Sequence, residues 1–524
     1  FFFPPPPPPP DPLWSRGLGD VYKRQHVSWT YMQMYRICGH GQGDTRICEF
    51  IKRGKPIMTL INMLSSSFER NSSAVAIVSR DTRLSYSEWL QQISLVAGAI
   101  EEIGLQQGDH LVTILSNRYE TATLYWACQM LGLIFTPFNW RASGAEIAYV
   151  LEDAEAKLVV CETRSESALK EALDLFPIPN ERVVHLDSDK FGQKFANLLD
   201  AKPFNGPWPD DSKSICLMLY TSGTTARPKG VVLSHGGILN NVVGSCEIIK
   251  PLINTRPIFL TWLPLSHSYE HCVQFAQIAV GAKVFYAEKI EKLLENISEA
   301  KPTIMTAVPR FYQNLYNKIN INLKKQTGFK AKLIDATLRL GKKKLLNQKM
   351  TFSEKLLNLI VDALVRKKIK KQFGGNLKAF VSGGGALDKE IGEFLNSIGL
   401  PTLQGYGLTE TSPVVSCNPI HKIKVETVGP PFKGNQVKIA DDGEILVKGE
   451  NVMLGYWNKK EETDKVIIDG WLHTGDIGEI DQEDGYLKIT DRKKDIIVSC
   501  LLYTSPSPRD QRGSGLGGCG CKKK

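Results

Sequence analysis

The sequence lacks the cysteine spacing of a disulfide framework or a zinc site. It contains eleven cysteines, but no two of them form a CxxC pair, and three lie near the C-terminal end (Cys500, Cys519 and Cys521). The other eight occur singly, whereas disulfide scaffolds and zinc sites need cysteines in recurrent pairs. Scattered thiols of this kind are typical of a protein in a reducing compartment.

Long hydrophobic runs are missing as well. No stretch of eighteen consecutive apolar residues occurs, so the sequence predicts no membrane-spanning helix. No internal repeat is visible. We therefore expect an intracellular protein that is either cytoplasmic or peripherally attached to a membrane.

A general excess of basic residues is also absent, although the net charge is +10. Half of that charge lies in the terminal segments 1–25 and 500–524. Residues 318–371 hold sixteen basic and three acidic residues. The remainder of the chain between the two terminal segments has a net charge of about −8. The protein thus has one basic block. Because few stacking aromatics are interleaved with these lysines, we do not expect nucleic acid as a partner.

The two ends of the chain differ in composition from the rest. Residues 1–10 read FFFPPPPPPP and the last three are lysines, as homopolymer tracts would encode. DVYKRQ near the start and CLLYT near the end can be encoded on opposite strands of one synthetic adaptor. We expect residues 1–25 and 500–524 to be artefactual; the alternative is a genuine Pro-rich linker and basic tail. Residues 26–57 are an uncertain extension ahead of a plausible start at Met58.

Strands and helices alternate from residue 58 onward. Predicted strands at residues 74–79, 110–115, 158–162 and 303–307 are separated by segments of helical periodicity. Such alternation predicts an α/β architecture of parallel sheets with helices on their faces. From residue 428 the pattern changes to short strands with Asp-Gly turns, which predicts a small β subdomain.

Two helix starts can be predicted from their capping residues. Ser85 and Glu88 have the spacing of a capping box, ahead of a helix that Gly104 would end. Asp388 is expected to cap a second helix, which Gly399 would close.

Residues 217–235, LMLYTSGTTARPKGVVLSH, predict a strand, a phosphate-binding loop and a second strand. Hydroxyl groups, glycines that let the backbone approach a ligand closely, and one lysine are suited to bind a polyphosphate. The residues that provide them are Thr221, Ser222, Gly223, Thr224, Thr225, Lys229 and Gly230. The nucleoside-triphosphatase P-loop is excluded, because it needs Lys-Ser/Thr at the start of a helix. A Ser/Thr-rich hairpin turn is the alternative for the loop taken alone.

Three further motifs follow in order: QGYGLTETSP at 404–413, GWLHTGDIG at 470–478 and DRKKDIIV at 491–498. Together with the loop they resemble the adenylate-forming superfamily, which includes acyl-CoA synthetases, luciferases and peptide-synthetase adenylation domains. The resemblance implies a large N-terminal domain at 58–492, with α/β parts at 58–211 and 212–427 and the β subdomain at 428–492. A hinge at 493–499 would lead to a C-terminal α+β lid domain, which we expect to be missing from this chain.

The resemblance also implies roles for individual residues. The loop from Thr221 to Lys229 would grip the phosphates of ATP, and Glu410 with Thr221 would hold Mg²⁺, a cation that prefers oxygen ligands. The implied nucleotide contacts are Gly383, Gly384, Gly385, Tyr406, Gly407, Thr409, Asp476 and Arg492. Asp476 is suited to the ribose hydroxyls, since a carboxylate accepts two hydrogen bonds at once. His267 would gate the acyl pocket, and Lys494 would be the hinge.

The basic block marks a subfamily. It lies between VPRFY at 308–312 and FGG at 373–375, and this insertion resembles that of long-chain fatty acyl-CoA synthetases. Within it LLNLIVDALVRKKIKK predicts an apolar helix ending in cations. Two interpretations stay open: the helix lies on an anionic membrane, or it belongs to a solvated helical hairpin.

The expected function is therefore ATP-dependent conversion of a long-chain fatty acid to an acyl-adenylate and then to acyl-CoA, with coenzyme A as co-substrate. Activity is expected to be impaired here, because the family's lysine in the lid domain would lie beyond Ser499. The alternatives are a luciferase-like or peptide-synthetase-type adenylation enzyme and a noncatalytic nucleotide- or lipid-binding relative.

Overall fold

The computed structural model describes residues 59–221, 227–253 and 255–493. The predictions for Ser222, Gly223, Thr224, Thr225 and Lys494 lie outside these residues, as do those for residues 1–57 and 500–524.

The helices alternate with strands over most of the described chain. They are α1 (Leu60–Asn71), α2 (Tyr86–Glu102), α3 (Tyr119–Leu131), α4 (Gly144–Asp153), α5 (Glu166–Leu175), α6 (His235–Ile249), α7 (Ser268–Ala279), α8 (Leu293–Ala300), α9 (Pro309–Lys324), α10 (Gly328–Leu345), α11 (Phe352–Val361), α12 (Lys367–Lys371), α13 (Lys389–Ser397) and α14 (Lys460–Val466). None of the described helices is both long enough and apolar enough to span a bilayer.

The strands are β1 (Val75–Ser79), β2 (Thr82–Ser85), β3 (His110–Ile114), β4 (Ile134–Phe138), β5 (Leu158–Cys161), β6 (Val183–His185), β7 (Gln193–Lys194), β8 (Ile215–Thr221), β9 (Lys229–Ser234), β10 (Ile258–Thr261), β11 (Lys283–Tyr286), β12 (Ile304–Ala307), β13 (Ala379–Ser382), β14 (Thr402–Tyr406), β15 (Ser416–Cys417), β16 (Gln436–Ile439), β17 (Glu444–Lys448), β18 (Gly455–Tyr456), β19 (Ile467–Ile468), β20 (Trp471–Ile480) and β21 (Leu487–Arg492).

Two eight-stranded sheets form the main body. Sheet I has the order β15-β14-β13-β12-β10-β11-β1-β2, and sheet II has the order β18-β9-β8-β4-β3-β5-β6-β7. Their central neighbours are parallel, and antiparallel pairs occur toward the edges, as at β1 with β2 and β8 with β9. This mainly parallel α/β architecture confirms the predicted fold class.

The third sheet is the small β subdomain. Its order is β16-β17-β20-β19, with β21 paired to β20, and these neighbours are antiparallel. Since β18 pairs with β9 instead, a short piece of this region joins sheet II.

Each of the two large sheets is built from segments that are distant in the sequence. Strands β1 and β2 belong to sheet I, where β1 pairs with β11 from much later in the chain, whereas the intervening strands β3 to β9 belong to sheet II. The boundary predicted at residue 211 therefore does not separate the two sheets.

A layer of helices between the sheets forms the main core. Helices α2 and α3 pack on each other, as do α6 and α7, and their apolar faces join side chains from both sheets in one cluster. Trp89, Trp126, Tyr125 and Phe275 are fully buried there. Burying each such side chain contributes about 1.5–3 kcal/mol, so this layer holds the sheets at a defined separation.

Both predicted helix caps are present. The Ser85 hydroxyl accepts from the Glu88 amide, and the Glu88 carboxylate accepts from the Ser85 amide, which completes the capping box of α2. The Asp388 carboxylate accepts from the Ile391 amide at the start of α13. The glycine predicted to close that helix, Gly399, has φ +86° just after its end.

Candidate active site

A cavity of about 1450 Å³ opens where the two large sheets and the small sheet meet. Its wall includes all of the predicted site residues that the structure describes: Thr221, Lys229, His267, Gly383, Gly384, Gly385, Tyr406, Gly407, Thr409, Glu410, Asp476 and Arg492. Residues from widely separated parts of the sequence thus face one space. Their individual roles in binding stay predictions at this point.

The β8–β9 hairpin carries the ends of the predicted phosphate loop. Thr221 and Lys229 are cross-strand partners at its tip. Asp153 at the end of α4 supports the hairpin, because it accepts from the Tyr220 hydroxyl at 2.8 Å, while the Tyr149 hydroxyl donates to the Pro228 carbonyl at 2.9 Å. Helix α4 therefore positions both strands that lead into the loop.

Lys229 has two neighbours that the sequence did not indicate. Its Nζ lies 2.6 Å from the Glu462 carboxylate on α14 and 4.9 Å from the centre of the Tyr456 ring. The Tyr456 hydroxyl in turn donates to Glu410 Oε1 at 2.9 Å. The cation and the predicted metal-binding carboxylate are thus connected through one tyrosine.

Glu410 sits in a short 3₁₀ turn, Thr409–Thr411, directly after β14. Burial raises the pKa of its carboxyl above the usual range, and the Tyr456 hydroxyl and Lys229 partly oppose that shift. A buried carboxylate with few donors gains from a nearby cation, because the cation replaces the lost hydration.

Asp476 is 2% exposed and lies on β20. The Tyr406 hydroxyl donates to its Oδ2 at 2.7 Å, and Arg492 Nε lies 2.8 Å from its Oδ1. Burial raises the pKa of this carboxyl, while Tyr406 and Arg492 lower it. Since an ionised carboxylate offers about four acceptor positions, both oxygens keep capacity for further donors.

Glycine is required at two positions of the cavity wall. A Cβ at Gly407 would lie 1.7 Å from the Pro413 carbonyl oxygen, and a Cβ at Gly383 would lie 2.9 Å from the Tyr269 ring. The backbone of both segments can therefore approach closely only without side chains.

His267 caps the start of α7. Its Nδ1 accepts from the Tyr269 amide at 3.3 Å, and burial lowers the pKa of its imidazole to about 4. The ring is therefore neutral at pH 7, with the proton on Nε2. His271, to which the sequence assigned no role, packs among Tyr125, Phe135 and Phe275 in the core.

The cavity has a second region that is mainly apolar. It runs between α6 and α7 and against β10 and β12; the residues that line it are Ile248, Ile249, Phe259, Cys272, Val273, Ala276 and Ile304. The residue-by-residue predictions did not include this wall, because its members belong to ordinary amphipathic helices and buried strands.

Sequence reasoning also missed Tyr456 and Glu462. They lie in GYWNKKEE, a stretch with no spacing that identifies a site, and Tyr456 is 46 residues from its partner Glu410. Their position beside Lys229 results from the pairing of β18 with β9.

Comparison with known proteins agrees with this geometry. The family model for the AMP-binding enzyme matches residues 64–457. The chain is 32% identical over 445 residues to the long-chain-fatty-acid–CoA ligase FadD15 of Mycobacterium bovis, covering 80% of this chain and 71% of that protein. It is 30% identical over 448 residues to the peroxisomal long chain acyl-CoA synthetase 7 of Arabidopsis thaliana, covering 79% and 62%.

Solved structures share the fold. The N-terminal domain of FACL13 from Mycobacterium tuberculosis superposes with a TM-score of 0.65 at 21% identity, covering 83% of this chain and all of that one. The resemblance inferred from the four motifs is confirmed, since the family model alone covers more than half of the chain. The protein is a member of the AMP-binding enzyme family.

Proposed function

We propose that this protein is an ATP-dependent ligase that joins long-chain fatty acids to coenzyme A. A carboxylate oxygen of the fatty acid attacks the α-phosphorus of ATP and expels pyrophosphate, which gives an acyl-adenylate. The deprotonated thiol of coenzyme A then attacks the acyl carbon, and AMP leaves. Family membership supports the AMP-forming chemistry, and the names of the relatives support the substrates.

The observation that carries the proposal is the two-part cavity. One part is polar and carries Lys229, Glu410 and Asp476; the other is apolar and lies between α6 and α7. At about 1450 Å³ the cavity exceeds the roughly 300–1,000 Å³ of an ordinary small-molecule site. It suits a nucleotide and a long hydrocarbon chain held end to end, with the reacting carboxylate at the border.

The polar part suggests how the nucleotide is held. Lys229 and the Thr221 hydroxyl would contact the outer phosphates, with Lys229 exchanging Glu462 for phosphate oxygens. Asp476 would accept from the ribose hydroxyls in its remaining acceptor positions, held in orientation by Tyr406 and Arg492. The base would lie beside Tyr406, on the cavity wall that Gly383, Gly384 and Gly385 also line.

The donor set fits a magnesium ion. Glu410 and Thr221 supply oxygen ligands on the same cavity wall, and the raised pKa of Glu410 is typical of a carboxylate that is short of positive charge. Bound with ATP, the ion would polarise the phosphate oxygens. Tyr456 would keep Glu410 in orientation through its hydroxyl.

His267 has the protonation state to orient the fatty acid. Its neutral imidazole carries the proton on Nε2 while Nδ1 is engaged by the helix start. An Nε2–H group can donate to a carboxylate oxygen without neutralising the nucleophile as a full positive charge would. The proposed role is therefore positioning of the attacking carboxylate at the border of the two regions.

Pyrophosphate release tests the first half-reaction by itself. We expect release to depend on fatty acid and to be faster with sixteen carbons than with two. Val273→Phe would reduce the rate with sixteen carbons more than with eight because it fills the apolar region, whereas Val273→Ala, the control, would leave that preference intact.

Other outcomes would contradict the proposal. Release that is independent of chain length would remove the role of the apolar region. Release with amino acids and not with fatty acids would favour a peptide-synthetase type of adenylation, and AMP release that does not require coenzyme A would favour a luciferase-like reaction.

A further inference from the structure

Exposed apolar side chains concentrate on the basic insertion. Of the thirteen large apolar residues that are strongly exposed in the described part of the chain, eight lie within residues 318–371: Ile321, Phe329, Leu346, Phe352, Leu356, Leu359, Ile360 and Leu364. Single exposed apolar residues need no explanation, but a concentration of them marks an interaction surface.

Helix α11 presents the densest part of this surface. Phe352 is 85% exposed, Leu356 55%, Leu359 65% and Ile360 42%. At about 100° per residue these four positions fall on one side of the helix. Val361, on the other side, is fully buried. The helix therefore turns one apolar face toward the core and a second one outward.

Polar contacts hold the outward face in its orientation. A capping box between Thr351 and Glu354 starts α11, and Arg339 and Lys343 of α10 both pair with Glu354 at 2.7 Å. The buried Arg366 donates to the carbonyl groups of residues 337 and 397. Because these contacts tie α11 and the turn after it to α10 and α13, they fix the outward direction of the leucines.

Cations continue the outward face. The helix runs through a π-helical turn, Asp362–Arg366, into α12, where Lys367, Lys368 and Lys371 are exposed. Lys355 is exposed within α11 itself. The surface thus combines apolar side chains with a positive flank, as on helices that lie in the interface of anionic bilayers.

We propose that the outward face of α11 and α12 docks on a bilayer containing anionic phospholipids. Phe352, Leu356, Leu359 and Ile360 enter the boundary between headgroups and acyl chains, a depth of about 5–10 Å. The lysines of α12 contact lipid phosphates. The inference goes beyond the proposed ligase reaction, because it rests on surface residues that are separate from the cavity.

Charge favours a bilayer over a second copy of this chain. Two copies joined through this face would bring their lysine flanks together, and like charges in contact oppose association. Each lysine instead strengthens binding to an anionic surface about fivefold, which corresponds to about 1 kcal/mol.

Sedimentation with vesicles tests the proposal on the full chain. We expect the protein to sediment with vesicles that mix phosphatidylcholine and phosphatidylglycerol in a two-to-one ratio, and far less with phosphatidylcholine alone. Binding should weaken as salt rises. Leu356→Gln/Leu359→Gln removes apolar contact and should abolish sedimentation. Lys367→Gln/Lys368→Gln/Lys371→Gln should weaken binding roughly 100-fold.

Matched control variants carry the same types of substitution elsewhere on the surface. Leu175→Gln/Leu294→Gln changes two leucines that are 68% and 54% exposed on α5 and α8, and Lys202→Gln/Lys213→Gln/Lys250→Gln removes three exposed lysines outside the insertion. Both controls should bind vesicles as the unchanged protein does, and circular dichroism should show that all variants are folded.

Three results would overturn the proposal. They are absence of sedimentation with anionic vesicles, equal losses in the control variants, and a change of molar mass in light scattering when Leu356 and Leu359 are replaced. The last result would assign the face to self-association. Since pyrophosphate release is measured without vesicles, failure of the docking proposal and failure of the ligase proposal are distinguishable.

Discussion

At the scale of single residues, the electrostatics of the site centre on Lys229. Its ammonium group is shared between the Glu462 carboxylate at 2.6 Å and the face of the Tyr456 ring. Such a pair near solvent is weak, so a triphosphate can replace Glu462 as the partner of the lysine. If Lys229 binds phosphate as proposed, Glu462 would act as an internal competitor for the cation.

Replacing Lys229 and replacing Glu462 should have opposite effects on nucleotide binding. Lys229→Gln removes a charge-assisted contact of about 1.5–3 kcal/mol and should raise the Kd for ATP roughly 10- to 100-fold. Glu462→Gln removes the competitor and should lower the Kd. Isothermal titration at constant salt measures both, and a rise in Kd for Glu462→Gln would contradict the competition.

Glu270 is a second residue whose state is set by its surroundings. It is fully buried on α7, and burial raises the pKa of its carboxyl to about 8, although hydrogen bonds from Thr306 and Thr261 oppose the shift. The side chain is thus largely protonated at pH 7. Because the unfolded chain ionises this group near pH 4.5 and the folded chain near pH 8, folding stability is lost as pH rises between those values.

Glu270→Gln should remove the loss of folding stability that occurs as pH rises. The amide has nearly the same shape as the protonated acid, so the variant should resemble the unchanged protein near pH 4.5 and exceed it in stability above pH 7, by on the order of a few kcal/mol. Urea unfolding at both pH values measures the difference. An advantage that is equal at both values would show that the carboxyl is not protonated in the fold.

At the scale of single elements, caps and turns decide where the site segments begin. Helix α13 starts at the Asp388 cap a few residues after the glycines that line the cavity, and Gly407 follows β14 where no side chain fits. The Asp388 cap is a local feature, so its sequence pattern predicted it correctly. The capping box of α2 belongs to the same class.

The cap of α13 should contribute a measurable share of stability. Asp388→Ala removes the acceptor for the Ile391 amide and should lower the free energy of unfolding by about 1 kcal/mol. Asp388→Asn, which keeps a side-chain acceptor, is the control and should cost little. Chemical denaturation compares the two, and equal losses would show that the carboxylate acts through its charge and not as a cap.

At the scale of the whole molecule, three sheets contribute to one cavity. Sheet II provides Lys229 from β9, sheet I provides Tyr406 from β14, and the small sheet provides Asp476 from β20. Strand β18 connects them further, because it extends sheet II while Tyr456 contacts Glu410. A nucleotide that fills this cavity would contact all three sheets at once.

Nucleotide binding should therefore stabilise the three sheets together. At a concentration roughly 100 times the Kd, a nonhydrolysable ATP analogue should add about 2.7 kcal/mol to the free energy of unfolding. Hydrogen exchange should slow in β9, β14 and β20 at the same ligand concentration. Protection confined to one sheet would contradict a site shared among them, and Asp476→Asn should reduce the effect in all three.

The sequence by itself determined what depends on neighbours along the chain. Alternation of strands and helices, the caps at Ser85 and Asp388, the hairpin around Lys229 and the family motifs all follow from residues within a few positions of one another. Periodicity and capping report local backbone conformation, which is why these predictions agree with the structure.

Only the tertiary structure decided which distant groups meet. Glu462 lies 233 residues from Lys229, and Asp476 lies 70 residues from Tyr406, so no local pattern links them. The same holds for the placement of β1 in sheet I and of β8 in sheet II, and for the outward direction of the leucines on α11. An apolar residue in a helix shows that it can be buried, but whether a neighbour covers it depends on how the whole chain packs.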